Sequence, residues 1–209
     1  MYARVSTVTV PPGRVDERTR LYREKVLPQV QKLKGFKGVF MLGDRETNKM
    51  ISVALWESEA DMLATKASGF LKNAVNTAVQ AGFSPPTTEH YEVTLQTQNI
   101  ERSEKMYARV TTVTLQPGKV DDLTKRYQNN TLPQVKQMKG FKGAYVLADR
   151  EANKAIVMVL WETEADMKAT EASGFYNRAA TSVRETGISS QTSMEHFEVT
   201  LQAEPAMAK

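Results

Sequence analysis

The feature that most constrains the fold of this chain is an internal repeat. The segment YARVSTVTV, which begins at Tyr2, returns as YARVTTVTL at Tyr107. The two halves keep an offset of 105 residues as far as Gly82 and Gly187, after which one extra residue in the second half makes the offset 106. Solenoid repeats are only about 20 to 50 residues long, so the sequence predicts a tandem duplication of a whole domain.

The repeat also sets the predicted domain boundaries. We expect copy one at residues 1–96 and copy two at residues 106–203, joined by a linker at 97–105 and followed by a tail at 204–209. The linker, TQNIERSEK, is polar and has no apolar periodicity, which is typical of a connecting segment.

Each copy predicts the element order β-α-β-β-α-β. Residues Ala3–Val10 alternate between two faces, as a strand does. An apolar stripe at helical spacing predicts a helix over about Val15–Leu33, broken or kinked at Pro28, and Gly35 ends it. Arg18 falls outside this stripe, so we expect its side chain to point elsewhere.

The remaining elements are a hairpin, two short helices and a last strand. Ser58 and Asp61 resemble a capping box that opens the first short helix. In the third strand Val53 and Leu55 alternate with Ala54 and Trp56, so both sheet faces carry apolar side chains. Because an uncovered apolar face is rare in a monomer, we expect the sheets of the two copies to pack face to face.

Composition excludes several classes of function. The chain has 209 residues and no cysteine, which excludes disulfides, zinc–thiolate sites and cysteine nucleophiles. Its net charge is +4, but Lys and Arg exceed Asp and Glu only by 15 to 12 in residues 1–105 and by 13 to 12 in residues 106–209. A nucleic-acid partner is therefore not expected. No apolar run approaches the roughly 20 residues that cross a bilayer, and no signal segment opens the chain, so we expect a cytoplasmic protein without a membrane partner.

Several segments resemble one known family. The run LPQVQKLKGFKG, the hairpin that ends in LWES, and EADMLA followed by SGF are similar to the antibiotic biosynthesis monooxygenase (ABM) domain. The resemblance extends over nearly the whole of each copy. It implies an α+β fold in which two ferredoxin-like βαββαβ repeats, with antiparallel sheets, form an intramolecular dimeric α+β barrel. This is a pseudo-dimer within one chain, and further homo-oligomerisation stays open.

The resemblance also implies a small-molecule enzyme. Members of the family include cofactor-independent anthrone and quinol oxygenases, and their ligand pocket typically lies between sheet and helices. We therefore predict a cofactor-independent monooxygenase whose partners are a small aromatic molecule and O₂, with neither a cofactor nor a metal. A non-catalytic ligand-binding or stress-related barrel is the alternative. The haem-degrading branch uses a helical histidine, which this chain lacks.

The candidate catalytic residues are one histidine and one arginine in each copy: His90, His196, Arg4 and Arg109. Imidazole titrates near neutral pH and could serve as the base, although each histidine could equally be a half-exposed strand residue. The arginines could steady an anionic substrate, or they could pair across strands with Glu92 and Glu198.

The candidate substrate-binding residues are Trp56, Trp161, Ser52, Ala54, Ser6, Tyr22, Met62 and Phe70. The two tryptophans match the tryptophan of anthrone-oxidising members and would form an indole wall, with a core aromatic as the alternative. Ser52 and Met62 stand where those oxygenases have asparagine and tyrosine, so the polar set does not carry over.

The two copies differ on the tryptophan-bearing face of the third strand. Ser52 and Ala54 of copy one correspond to Val157 and Val159 of copy two. Both changes add volume. We therefore predict that the first pocket is roomier and more polar and that the second is partly filled.

Overall fold

The computed structural model describes residues 1–97 and 105–206. Residues 98–104 of the predicted linker and residues 207–209 of the predicted tail lie outside the described part. Within the described residues, no helix is both long and apolar enough to cross a membrane.

Copy one contains the predicted order of elements. The strands are β1 (Tyr2–Thr9), β2 (Phe36–Gly43), β3 (Lys49–Trp56) and β4 (Thr87–Gln96), and the helices are α1 (Val15–Leu21), α2 (Leu27–Val30), α3 (Glu59–Ala67) and α4 (Phe70–Gln80). Strand β3 pairs antiparallel with both β1 and β2, and Tyr2 lies opposite Trp56.

Copy two repeats this order. The strands are β5 (Tyr107–Leu115), β6 (Phe141–Asp149), β7 (Lys154–Trp161) and β8 (Ser189–Ala203), and the helices are α5 (Val120–Arg126), α6 (Leu132–Val135), α7 (Glu164–Ala172) and α8 (Phe175–Glu185). Strand β7 pairs antiparallel with β5 and β6 in the same register, with Tyr107 opposite Trp161. The predicted α+β class, with two ferredoxin-like repeats and antiparallel sheets, is confirmed.

The structure divides into two compact units whose boundaries differ from those of the two sequence copies. Unit 1 comprises Met1–Tyr91 and the residues from Val199 onward, whereas unit 2 comprises Glu92–Glu198. Within unit 1 the strands run β1-β3-β2, followed by the end of β8. Within unit 2 they run β8-β5-β7-β6, followed by the end of β4. The last strand of each copy therefore divides its residues between the units, which periodicity alone did not predict.

The first long helix of each copy is interrupted. In copy one a π-helical turn, Tyr22–Val26, separates α1 from α2, and the Leu27 N–H donates to the Tyr22 carbonyl five residues back. The wider turn comes just before Pro28, which has no N–H to donate and disfavours a regular α-helical turn. The break at Pro28 was therefore predicted correctly, although α2 ends at Val30 and not at Leu33.

The turns and caps follow from particular residues. Gly35, which follows this helix, has a φ of +75°, a conformation in which side chains other than glycine are strained. A Cβ at this position would also lie 2.6 Å from the side chain of Asp61. The predicted cap of α3 is confirmed, since the Ser58 hydroxyl accepts the Asp61 backbone N–H at 3.1 Å. These local contacts fix where α3 begins beside the sheet.

Candidate functional site

Copy one contains a cavity of about 570 Å³ between the sheet and the helices. Ligand pockets commonly have about 300 to 1,000 Å³, so the volume suits a compact organic molecule. Buried residues of β1, β3 and the first helical segment line it, including Arg4, Ala54, Trp56 and Val30. Exposed residues of α3, α4 and β4 lie at its outer side, including Leu63, Lys66, Lys72, Asn76 and His90.

The structure brings most of the predicted copy-one residues together around this cavity. Those that line it are Arg4, Ser6, Tyr22, Ser52, Ala54, Trp56, Phe70 and His90. Met62 does not line it. The Met62 side chain is fully buried in the core, and its carbonyl accepts a hydrogen bond from Arg4. The predicted substrate contact at Met62 was therefore wrong, because this residue faces inward from α3 and holds the arginine in place.

Arg4 is buried, with 4% of its surface exposed. Its Nη2 donates to the Met62 carbonyl and, at 2.7 Å, to the Thr65 hydroxyl. Its Nε has no hydrogen-bond partner among the described residues. Burial lowers the pKa of Arg4 to about 10, since a charge removed from water is disfavoured. The cross-strand alternative was wrong for this residue, because the Glu92 carboxylate accepts from Arg150 at 2.8 Å.

Trp56 forms part of the cavity wall and part of the core. It is fully buried, and its ring meets Phe36 edge to face with centroids 5.6 Å apart. The Arg4 guanidinium carbon lies 5.6 Å from the indole centroid, within the range of a cation–π contact. Trp56 is therefore both a core aromatic residue and part of the lining of the cavity.

Two further residues of the helical segment, Tyr22 and Arg18, line the same cavity. Arg18 was expected to point elsewhere, and this expectation was wrong. Its guanidinium packs 5.6 Å from the Phe83 ring, and its Nε and Nη1 are buried without a hydrogen-bond partner in the described chain. Burial lowers the pKa of Arg18 and raises that of Tyr22 to about 12.

The sequence did contain a signal for Arg18. The equivalent position in copy two is Leu123, which is buried in the core. A position that is apolar in one copy faces the interior in the other as well, because both copies have the same helix. The long aliphatic part of an arginine allows it to occupy such a position.

His90 lies on β4 as an exposed strand residue that also lines the cavity. Strand β4 runs beside β1 here, since the hydroxyls of Ser6 and Thr88 lie 3.1 Å apart and the Thr87 hydroxyl donates to the Thr7 carbonyl. Both interpretations of His90, strand residue and pocket residue, describe its position.

Copy two has less empty space at the equivalent position. Its cavity there measures about 70 Å³ and is lined by Val157 and Val159. A second cavity of about 200 Å³, partly bounded by Phe175, lies among residues of α5, α8 and the π-helical turn between α5 and α6. The prediction that the first pocket is roomier is confirmed. Its lining also carries more polar side chains, and Trp161 does not line the copy-two cavity.

The charges of copy two are balanced internally. Arg109 is buried and donates to the Thr170 hydroxyl, and its Nη1 lies 3.7 Å from the Glu171 carboxylate. The same carboxylate lies 2.7 Å from His196 Nε2. Burial lowers the pKa of Arg109, although Glu171 opposes this effect. Arg109 also lies 5.0 Å from the ring of Tyr176.

The described residues contain no group of three or more His, Cys, Asp or Glu side chains placed to hold a metal ion. The polar and aromatic groups that line the candidate site include an indole, a phenol, guanidinium groups, one imidazole and hydroxyl groups.

Comparisons with known proteins agree with this architecture. Residues 106–182 match the model of the family described as antibiotic biosynthesis monooxygenase. An uncharacterised protein of Mycobacterium tuberculosis is 26% identical over 189 residues, which make up 90% of this chain and 82% of the relative. The ABM resemblance predicted from the sequence is confirmed.

Two solved structures have a similar fold. A candidate monooxygenase of Fusobacterium nucleatum superposes with a TM-score of 0.74 at 12% identity, covering 97% of this chain and 94% of that one. An anthrone oxidase-like protein superposes with a TM-score of 0.71 at 14% identity, covering 98% and 93%. At these identities the likeness establishes the fold.

Proposed function

We propose that the protein is a cofactor-independent monooxygenase, since residues 106–182 match the model of the antibiotic biosynthesis monooxygenase family. Its substrate is a small aromatic molecule of the quinol or anthrone type, which binds in the cavity of copy one. The observation that carries the proposal is the cavity of about 570 Å³ with Trp56 in its wall. An indole face suits a planar aromatic ring.

The surrounding side chains support this chemistry. A phenol reacts with O₂ only after it loses its proton, because the phenolate can pass an electron to O₂. His90 lines the cavity and is the candidate base. Arg4 and Arg18 line the same cavity and would stabilise the phenolate by their positive charge. Tyr22 stays protonated at neutral pH, since burial raises its pKa to about 12, and can donate a hydrogen bond.

The overall reaction balances without a cofactor. The phenolate gives one electron to O₂, and the resulting radical and superoxide combine to form a peroxide at a ring carbon. Cleavage of the O–O bond leaves one oxygen atom on the substrate and releases the other as water. A hydroquinone and O₂ thus give a hydroxyquinone and water, so the substrate itself supplies all the electrons.

The test is O₂ uptake by the purified full chain with a panel of hydroquinones and anthrones. We expect uptake that needs no added flavin and survives a chelator. The His90→Gln variant should lower kcat by about 100-fold or more, the usual contribution of a general base. The His196→Gln variant is the matched control and should keep its activity, since the copy-two cavity measures only about 70 Å³.

Two results would contradict the proposal. If His196→Gln lost as much activity as His90→Gln, the assignment of turnover to copy one would be wrong. If the aromatic compounds bound to the protein without any O₂ uptake, the chain would be a non-catalytic ligand-binding protein.

A further inference from the structure

The lining of the copy-one cavity is positively charged. It includes Arg4, Arg18, Lys66 and Lys72, and the described part of the chain contributes no aspartate or glutamate to it. A cavity with one sign of charge and apolar walls favours a ligand of the opposite sign, because its low polarity strengthens the attraction.

The two arginines have no carboxylate partner in the described chain. Arg4 bonds only to a carbonyl and a hydroxyl, and Arg18 packs on an aromatic ring. Three of their buried nitrogen atoms make no hydrogen bond to any described residue. Buried charges in proteins are normally paired, so this arrangement is costly, and the negative charge of an anion in the cavity would offset the cost.

The guanidinium groups of Arg4 and Arg18 both act on Tyr22, which lines the same cavity. The positive charges of Arg18 and Arg4 both act to lower the pKa of the Tyr22 phenol. Burial raises this pKa by more than the two charges lower it. Because Arg4, Arg18 and Tyr22 all line this one cavity, a ligand bound there lies in the field of both positive charges.

Copy two shows how the same fold balances such a charge. There Arg109 faces Glu171 at 3.7 Å, and Leu123 replaces the second arginine. The copy-one equivalent of Glu171 is Lys66, which adds positive charge where copy two has negative charge. The difference between the copies is therefore one of charge balance as well as volume.

We propose that the copy-one cavity binds an aromatic carboxylate, whose anionic group is held by Arg4 and Arg18 while its ring lies against Trp56. A carboxylate fits because the planar guanidinium fork matches its two oxygen atoms. The inference rests on the proposed function only in using the same cavity, and it makes Arg18 the residue that sets the preference for charged over neutral ligands.

The experiment compares two probes of the same shape, anthraquinone-2-carboxylate and anthraquinone-2-carboxamide. Both resemble an oxidised product and cannot be turned over, so binding is measured separately from catalysis. Isothermal titration calorimetry with the full chain should give an affinity for the carboxylate about 10-fold to 100-fold higher than for the amide, the range expected for hydrogen bonds to a charged group. The preference should fall as salt is added.

Three variants test the residues. Arg18→Leu, which introduces the copy-two residue, should bring the two affinities together. Lys66→Glu, which introduces the copy-two carboxylate at an exposed position, should also make the two affinities more nearly equal. This variant is expected to fold normally. Arg20→Leu removes one exposed positive charge from the same helix outside the cavity and should leave the preference unchanged.

The outcomes separate this inference from the proposed function. Equal affinities of the wild type for the two probes would overturn the proposed anion site. An equal loss of the carboxylate preference in Arg20→Leu and Arg18→Leu would also overturn it, because that result would indicate a general effect of net charge. If Arg18→Leu does not fold, Lys66→Glu is sufficient as a test, because an unchanged carboxylate preference in that variant would overturn the proposed anion site. A preserved preference without any O₂ uptake would refute the monooxygenase and support the anion site.

Discussion

Replacing Arg4 by methionine should raise the free energy of unfolding of the protein, because the substitution removes a buried charge. Methionine is unbranched and occupies the space of the arginine stem. The folded-state pKa of Arg4, about 10, lies well below the ordinary pKa of arginine because the side chain is buried. The unfavourable burial of charge is therefore fully present at pH 7. It begins to decline as the pH rises above about 10 and is lost only near the ordinary pKa of arginine.

The magnitude follows from two opposing effects. The lowering of the Arg4 pKa to about 10 corresponds to about 3 kcal/mol against the charged folded state. The variant also loses two hydrogen bonds, to Met62 and Thr65, each contributing about 1 kcal/mol. The Met62 carbonyl keeps a donor, because the Thr65 hydroxyl bonds to it at 2.7 Å. We expect the free energy of unfolding to rise by about 1 kcal/mol.

The matched control is Arg109→Met in copy two. Removal of this charge leaves the partly buried Glu171 without its arginine, so this variant should lose about 1 kcal/mol or more. Urea unfolding at pH 7, followed by the emission of the two tryptophans, measures both variants. If Arg4→Met lost as much stability as Arg109→Met, the claim that Arg4 is buried without a compensating charge would be refuted.

Two further predictions concern the cavity volume and a helix cap. Replacing Ser52 and Ala54 together by valine, as in copy two, should weaken binding of anthraquinone-2-carboxylate at least about tenfold in calorimetry, because the added methyl groups occupy the cavity. Unchanged affinity would show that this face of β3 does not contact the ligand. Ser58→Ala should lower the free energy of unfolding by about 1 kcal/mol, because the hydroxyl caps α3. Ser58→Thr, which introduces the equivalent capping residue of copy two, should keep most of this stability, because a hydroxyl can still accept from the backbone and donate to Asp61. An equal loss in both variants would contradict the capping role.

Much of the fold could be predicted from local patterns. Alternation identified the strands, the apolar stripe identified the first helix, and Pro28 and Gly35 marked its break and its end. These signals depend on neighbours along the chain, and a residue such as proline has the same effect in any context. The division of β4 and β8 between the two units was not predicted, because strand partners are chosen by residues far apart in sequence.

The candidate site was predicted less completely. The comparison of the two copies predicted correctly that copy one has the larger cavity, since Ser52 and Ala54 are smaller than the valines that replace them. The same comparison could have identified Arg18, whose counterpart is Leu123, but a charged residue outside an apolar stripe is usually taken to be solvated. Met62 was misplaced because it was assigned from the position of a tyrosine in similar oxygenases, and an apolar side chain at that position is free to turn into the core.

The sequence by itself therefore determined the duplication, the order of elements in each copy and the difference in side-chain volume between the two pockets. Only the tertiary structure decided the charge balance of each pocket. Arg109 faces Glu171, whereas the buried Arg4 and the half-buried Arg18 have no carboxylate partner among the described residues. The physical reason is that volume belongs to a single side chain, whereas the cost of a buried charge depends on every group that folding brings within a few ångströms of it.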